Sequence, residues 1–151
     1  MTVNRVHGNL WMGSAPKCHT RLREQFDVVV LCAMEHQLPA TCFRGVEVIH
    51  TPLDDTVPIP SGEARLAQRA AARVALALQA GRRVLVTCWM GRNRSGLVAA
   101  LALVRLGADP EVAIELVRRA RGEHALSNPA FVELIRRGSS GSRDGSHELA
   151  R

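Results

Sequence analysis

Tyrosine is absent from this chain, and the other aromatics amount to three phenylalanines and two tryptophans. Without aromatic bulk the interior has to be filled by Val, Leu and Ala. A length of 151 residues allows this, being enough for one domain with a sizeable core. Lysine is nearly absent too: Lys17 is the only one, so the formal charge of +6 rests on arginine. The arginines are spread through predicted helices, with no basic block and no aromatics interleaved. That pattern suits acidic ligands such as phosphate esters and speaks against nucleic acid as the main partner. No apolar run is long enough to span a bilayer, and Met1 to Leu10 lacks the apolar core of a signal peptide. Cys18, Cys32, Cys42 and Cys88 show neither a CxxC pair nor zinc-ligand spacing. These absences together lead us to expect a cytoplasmic protein in a reducing compartment, where a nucleophilic thiol survives.

What is present centres on Val84-Leu-Val-Thr-Cys-Trp-Met-Gly-Arg-Asn-Arg-Ser-Gly96. Val84, Leu85 and Val86 have the composition of a buried parallel strand, and a helical pattern opens at Ser95. Cys88 therefore stands where a strand ends, facing the N-terminus of the next helix. The backbone must curl tightly between them, and Gly91 permits the positive φ that such a curl needs. Consecutive N–H groups pointing into one concavity make an anion site, reinforced by the helix dipole. Arg94 can add a bidentate fork to two phosphate oxygens. The same positive field favours a Cys88 thiolate beneath the cradle, which reads as phosphoryl transfer through a cysteine. A structural cysteine at a βα turn, beside a surface arginine, is the competing reading.

Cys88, five intervening residues, Arg94 and Ser95 resemble the C-x5-R-[S/T] signature of the cysteine-dependent phosphatases. The form Cys-Trp-Met-Gly-Arg-Asn-Arg-Ser-Gly is similar to the compact dual-specificity branch, as is Asn9-Leu-Trp-Met-Gly-Ser14 to that branch's opening strand. The resemblance spans about Val3 to Ile135, by motif at Cys88–Gly96 and by pattern elsewhere. It implies a phosphate-binding loop made of Trp89, Met90, Gly91, Arg92 and Asn93, and no cofactor or metal.

Along the chain, Val3 to Pro16 reads as a short strand and a turn, and Phe26 to Cys32 as a buried parallel strand. Glu35 to Pro39 is loop or a short helical turn, Gly45 to Leu53 a third strand, and Asp54 to Pro60 an extended loop stiffened by prolines. Ser61 is the expected N-cap of a helix carrying Leu66, Ala70, Val74 and Leu78 and closed by Gly81. After the strand Val84–Val86, a helix over about Ser95 to Leu106 is apolar nearly all round, so it should be central and buried. Asp109-Pro110 opens a further helix to about Arg121, and Asn128-Pro129 opens the last. Residues 1–137 read as one domain, with the Ser/Gly-rich 138–151 as a disordered tail. The expected fold is α/β, a central and mainly parallel sheet flanked by helices, with the ligand at the carboxyl ends of the strands.

Thiolate attack on phosphorus needs a proton donor for the leaving oxygen. The resemblance puts an aspartate for this on a loop upstream of the cysteine. Matching Pro52-Leu-Asp-Asp to the family's Pro-x-x-Asp pattern favours Asp55 as the general acid, with Asp54 as the alternative and an Asx turn as the structural explanation of either. Ser95 would donate to the Cys88 sulfur, or cap the following helix, or both. Arg92 is a second cation, aimed at substrate or at solvent. Asn93 is expected to hold the loop by local hydrogen bonds. Asn128 either steadies the loop from behind or simply caps a helix. Most relatives have histidine before the nucleophile, and this chain has Thr87. Cys32 ends a neighbouring strand in a Leu-Cys-Ala context similar to one in phosphoinositide phosphatases. It is either a redox partner of Cys88 or a buried apolar cysteine. His36 lies beside that strand end, at the pocket or at the surface.

The activity implied is metal-independent phosphomonoester hydrolysis through a phosphocysteine. Phosphoproteins are the first substrate class, with phosphotyrosine and also phosphoserine or phosphothreonine as targets. Phosphoinositides, or the 5′-phosphates of RNA or nucleotides, come second. A phosphate-binding pseudophosphatase without turnover is the alternative from another class.

Overall fold

A computed structural model describes residues 1–141. Five strands form one sheet: β1 (Val3–His7), β2 (Leu10–Gly13), β3 (Val28–Ala33), β4 (Glu47–Leu53) and β5 (Val84–Thr87), in the order β1-β2-β5-β3-β4. β5 pairs in parallel with both β2 and β3, and β3 with β4; only the edge strand β1 runs antiparallel. The carboxyl ends of four strands thus share one edge, and Cys88 follows the central one. The N-terminal stretch read as one strand and a turn is a two-stranded hairpin. Its register shifts between Arg5 and His7, and Gly8 turns it with a φ of 57°.

Four helices, α1 (Glu63–Gln79), α2 (Arg94–Arg105), α3 (Pro110–Arg121) and α4 (Pro129–Gly141), pack on one face of this sheet. The period of two along β5 explains the two cores. Val84 and Val86 join Leu10, Met12, Val28 and Val30 beneath the helices, while Leu85 points the other way, toward Phe26, Val29, Leu31 and Phe43. Two 3-10 turns, Leu22–Glu24 and Ala40–Cys42, supply much of that second cover. As its all-round apolar pattern requires, α2 is central. Every residue from Ser95 to Val104 is buried, and the helix touches α1, α3, α4 and the sheet. Truncating Leu97 or Leu101 there to alanine would remove about 2–5 kcal/mol.

Several local expectations need correcting. Ser61 does not cap α1: the N-cap is Gly62, and no side chain closes that end. Glu63 instead turns back, its Oε1 accepting the Asp54 backbone N–H at 2.7 Å. Nor does Ser95 cap α2, since it lies inside the helix, one residue past its start. Two of the four cysteines are not free thiols. Cys18 and Cys42, 24 residues apart and with Cα atoms 4.6 Å from each other, form a disulfide that joins the turn after β2 to the segment before β4. α4 continues to Gly141, into the first residues of the stretch read as a tail; the remaining 142–151 lie outside the described residues. Among the described residues, no helix is long and apolar enough to cross a membrane.

Candidate active site

β5 delivers Cys88 almost fully buried, 3% exposed, at the floor of the loop 88–93. Gly91 makes the curl possible: its φ is 69°, and a Cβ there would come within 2.6 Å of the Gly13 carbonyl group. No other residue fits. The carbonyls of Trp89 to Arg92 turn outward. That of Trp89 accepts from Ala15 N, those of Met90 and Gly91 from the Arg121 guanidinium, and that of Arg92 from Leu126 N. Because the peptide unit is planar, each outward carbonyl turns the next N–H inward. Among the described residues no backbone N–H of residues 89–93 has a protein acceptor. The result is a nest of donors at a helix N-terminus, the arrangement that binds an anion.

Arg94 follows the loop, and its guanidinium is partly committed. Nη1 donates to Glu35 Oε1 at 2.6 Å and to the Leu53 carbonyl at 3.1 Å, and Nη2 donates to Glu35 Oε2 at 2.9 Å. A guanidinium has five N–H donors, and these contacts use three. The two left over, Nε–H and the second Nη2–H, lie on the same edge of the plane. Nε is buried and has no partner. Glu35 therefore occupies the end of the guanidinium and leaves its side as a two-pronged fork. The sequence reading placed the fork on Arg94 but missed Glu35, which it left in an unassigned loop. This pair holds the Glu35 carboxyl down at about 2, chiefly through the hydrogen bond from Arg94. Arg94 is raised above its ordinary value, again chiefly by Glu35; burial opposes this, and the charges of Cys88 and Asp55 reinforce it.

Ser95 Oγ lies 3.2 Å from Cys88 Sγ, which suits the donor role and replaces the capping one. Thr87, just before Cys88, is buried and donates through Oγ1 to the Val30 carbonyl at 2.9 Å, tying β5 to β3. Asp55 is bound on both oxygens, by Asn93 Nδ2 at 2.9 Å and by Asn128 Nδ2 at 2.8 Å. Asp54 engages the surroundings only through its backbone N–H, to Glu63, and its carboxylate has no hydrogen bond among the described residues. Asn93 thus makes long-range bonds rather than the local ones expected, and its Oδ1 accepts from Ser127 N at 2.8 Å. Asn128 caps α4 as one reading anticipated, but the loop its amide steadies is the one carrying Asp55 and not the loop 88–93. Its Oδ1 caps α4 by accepting from Ala130 N at 2.9 Å, while its amide holds Asp55 and the Thr56 carbonyl.

Beyond the carboxyl ends of β3, β4 and β5 come Met34, Val57, and Trp89 with Met90, all apolar and all exposed. His36 meets Trp89 edge to face, with ring centroids 6.3 Å apart. Arg92 is exposed and makes no side-chain hydrogen bond or ion pair among the described residues. Cys32 is a free, fully buried thiol whose ionisation is pushed well up by burial first and by the Cys88 charge second. No group of three or more His, Cys, Asp or Glu among the described residues is arranged to hold a metal ion.

No protein-family model matches this sequence, and no curated protein does. Solved structures do match in fold. A mouse putative dual specificity phosphatase, complexed with zinc tungstate, superposes with a TM-score of 0.79 at 23% identity, over 93% of this chain and 88% of its own. Human DUSP28 gives 0.77 at 25% identity, over 92% and 93% of the two chains. PTPMT1 in complex with PI(5)P gives 0.74 at 19% identity, over 92% and 95%. With one antiparallel edge strand, a central strand that ends at Cys88 and a buried helix leaving its loop, the chain has the fold of the dual-specificity and protein tyrosine phosphatases.

Proposed function

We propose that the protein is a phosphomonoester hydrolase that works through a phosphocysteine on Cys88. One observation carries this reading: Arg94 keeps two adjacent N–H donors free at the loop of inward amides, while Glu35 and Leu53 consume the other three. Two donors on one guanidinium edge match two oxygens of a tetrahedral phosphate.

In the first step the Cys88 thiolate attacks phosphorus in line, the bond from phosphorus to the ester oxygen breaks, and Asp55 gives its proton to that oxygen. Arg94 and the loop amides meet the charge on the transferring group. In the second step Asp55 takes a proton from water, the resulting oxygen attacks phosphorus, and the sulfur–phosphorus bond breaks toward Cys88. Ser95 donates its hydroxyl proton to the departing sulfur in a hydrogen bond. Asn93 and Asn128 support Asp55 over Asp54, because they fix its carboxyl while each oxygen keeps a lone pair for the transferred proton.

The apolar mouth favours phosphoprotein substrates, phosphotyrosine above all, since Trp89, Met90, Met34 and Val57 can cover an aryl ring that phosphoserine lacks. A second reading, a phosphoinositide or another multiply phosphorylated ligand, draws on the unpartnered Arg92 and on the likeness to PTPMT1, whose structure holds PI(5)P. Hydrolysis of p-nitrophenyl phosphate with EDTA present, from about pH 5 to 8, tests the mechanism. Turnover should vanish in Cys88→Ser and fall in Asp55→Asn but not in Asp54→Asn. A wild type that binds phosphopeptides and turns none over would make the protein a pseudophosphatase. Phosphotyrosine, phosphoserine and PI(5)P substrates then rank the classes.

A further inference from the structure

The guanidinium of Arg121, at the end of α3, lies behind the phosphate loop and away from the substrate side. Its Nε donates to the Gly91 carbonyl at 2.8 Å and its Nη2 to the Met90 carbonyl at 3.1 Å, so one side straddles two consecutive peptide groups. The remaining donors reach Asn4 Oδ1 at 2.6 Å, Thr2 Oγ1 at 3.1 Å and the Thr2 carbonyl at 3.4 Å. All five N–H groups are used, and every acceptor is neutral. Elsewhere Arg73, Arg82, Arg83, Arg94 and Arg136 each hold a carboxylate. Among the described residues no carboxylate lies within ion-pair distance of Arg121.

A partly buried cation without a counter-charge is unfavourable unless an anion compensates it from elsewhere. Burial does push the Arg121 ionisation down, and the charge on Cys88 opposes that fall. An anion bound on the other side of the loop would compensate it. The two peptide groups between them are polarised in series: guanidinium to carbonyl on one side, N–H to anion on the other.

We propose that Arg121 is a positioning residue for oxyanion binding: it locks the Met90 and Gly91 carbonyls outward, so that the Gly91 and Arg92 N–H groups face the phosphate, and its charge is balanced by the bound anion. Thr2 and Asn4 hold the guanidinium in place, which makes the edge strand β1 part of the support of the active loop. The inference rests on the phosphatase reading and adds to it a residue that never touches substrate.

The test is tungstate affinity, measured as competitive inhibition of p-nitrophenyl phosphate hydrolysis and directly by calorimetry. Arg121→Gln, Arg121→Lys, Asn4→Ala and Arg119→Gln are compared, with thermal unfolding of each. Arg119→Gln removes the same charge from an exposed site on the same helix. Arg121→Gln should weaken tungstate at least about tenfold, the size of one charge-assisted hydrogen bond. Arg121→Lys should recover part of that loss, Asn4→Ala should show a smaller one, and Arg119→Gln should match the wild type. Should Arg121→Gln fail to fold, Arg121→Lys and Asn4→Ala decide. A weakening of threefold or more in both, with cooperative unfolding kept, supports the proposal, and wild-type affinity in either overturns it. Wild-type affinity in a folded Arg121→Gln overturns it too. A wild type that neither binds tungstate nor turns over substrate would sink the phosphatase reading instead, so the two failures are distinct.

Discussion

Replacing Glu35 by glutamine separates two effects that act on Arg94 in opposite directions. Glu35 neutralises the guanidinium, so on charge alone its loss should strengthen attraction for a phosphate. It also orients the guanidinium, so on geometry its loss should weaken binding. The structure says which wins. Arg94 is 11% exposed and Glu35 50% exposed, so the arginine is fixed inside while the carboxylate faces water. Screening thus reduces the Coulomb part. The two contacts at 2.6 and 2.9 Å are what keep the Nε side of the plane facing the loop. A glutamine offers one acceptor and sets an NH₂ group against another donor, so one contact is lost and the plane is free to rotate. Losing one charge-assisted hydrogen bond of about 1.5–3 kcal/mol corresponds to a drop in kcat/KM of about ten- to a hundredfold. Tungstate affinity should fall in parallel. The assay is p-nitrophenyl phosphate hydrolysis at pH 6, with Glu35→Asp as the shorter carboxylate for comparison. Glu35→Gln with tungstate affinity at or above wild type would refute the orienting role. The pH dependence has a defined sign as well. The folded-state value of about 2 lies below the ordinary 4.5, so the pair's stabilisation is complete above 4.5 and is lost as pH falls through about 2. Glu35 therefore contributes no limb to a rate profile between pH 5 and 8, a range in which Glu35→Gln should shift the level of activity and not its shape.

Gly91→Ala should cost at least about a hundredfold in kcat/KM, since a 1 Å misplacement already does so. Its Cβ would lie 2.6 Å from the Gly13 backbone and 2.7 Å from Arg121 Nη2, so a variant with near-normal turnover would contradict the loop geometry. Asn128→Asp keeps an oxygen to cap α4 but sets a carboxylate against Asp55. Thermal unfolding should stay close to wild type while turnover falls about tenfold or more. Asn128→Ala should lose about 1 kcal/mol of stability as well, and equal effects of the two variants on unfolding would refute the division of roles. Mild peroxide should cost the protein two hydrogens by intact mass as Cys88 and the buried Cys32 join, and none in Cys32→Ser; a gain of sulfinic acid in the wild type would rule the pairing out.

The part of this protein legible in the sequence was the part that depends on neighbours in the chain. Strand β5 followed from three apolar residues, and α2 from apolar residues on every side. The end of α1 followed from Gly81, and the start of α3 from Asp109 and Pro110, whose cap is seen in the bond from Glu111 N to Asp109 Oδ1 at 2.8 Å. The loop from Cys88 to Ser95 belongs with these, since its curl, its glycine and its cysteine lie within eight consecutive positions, and the fold likeness agrees with the family that this motif resembles.

Tertiary structure decided the partners of that loop. Glu35 and Arg94 are 59 positions apart, Asn128 and Asp55 73, and Arg121 lies 30 from Gly91. Cys18 and Cys42 pair across two separate turns. No local pattern announces these pairings. Glu35 reads as loop, Arg121 as one basic residue among several at a helix end, and Asn128 as a cap. They meet only because a parallel sheet brings the ends of its strands and the turns around its helices to one edge. The sequence by itself determined which residues make up the candidate loop, because they sit within one short stretch. Only the fold determined which way they face, because orientation here depends on hydrogen bonds between segments far apart in the chain.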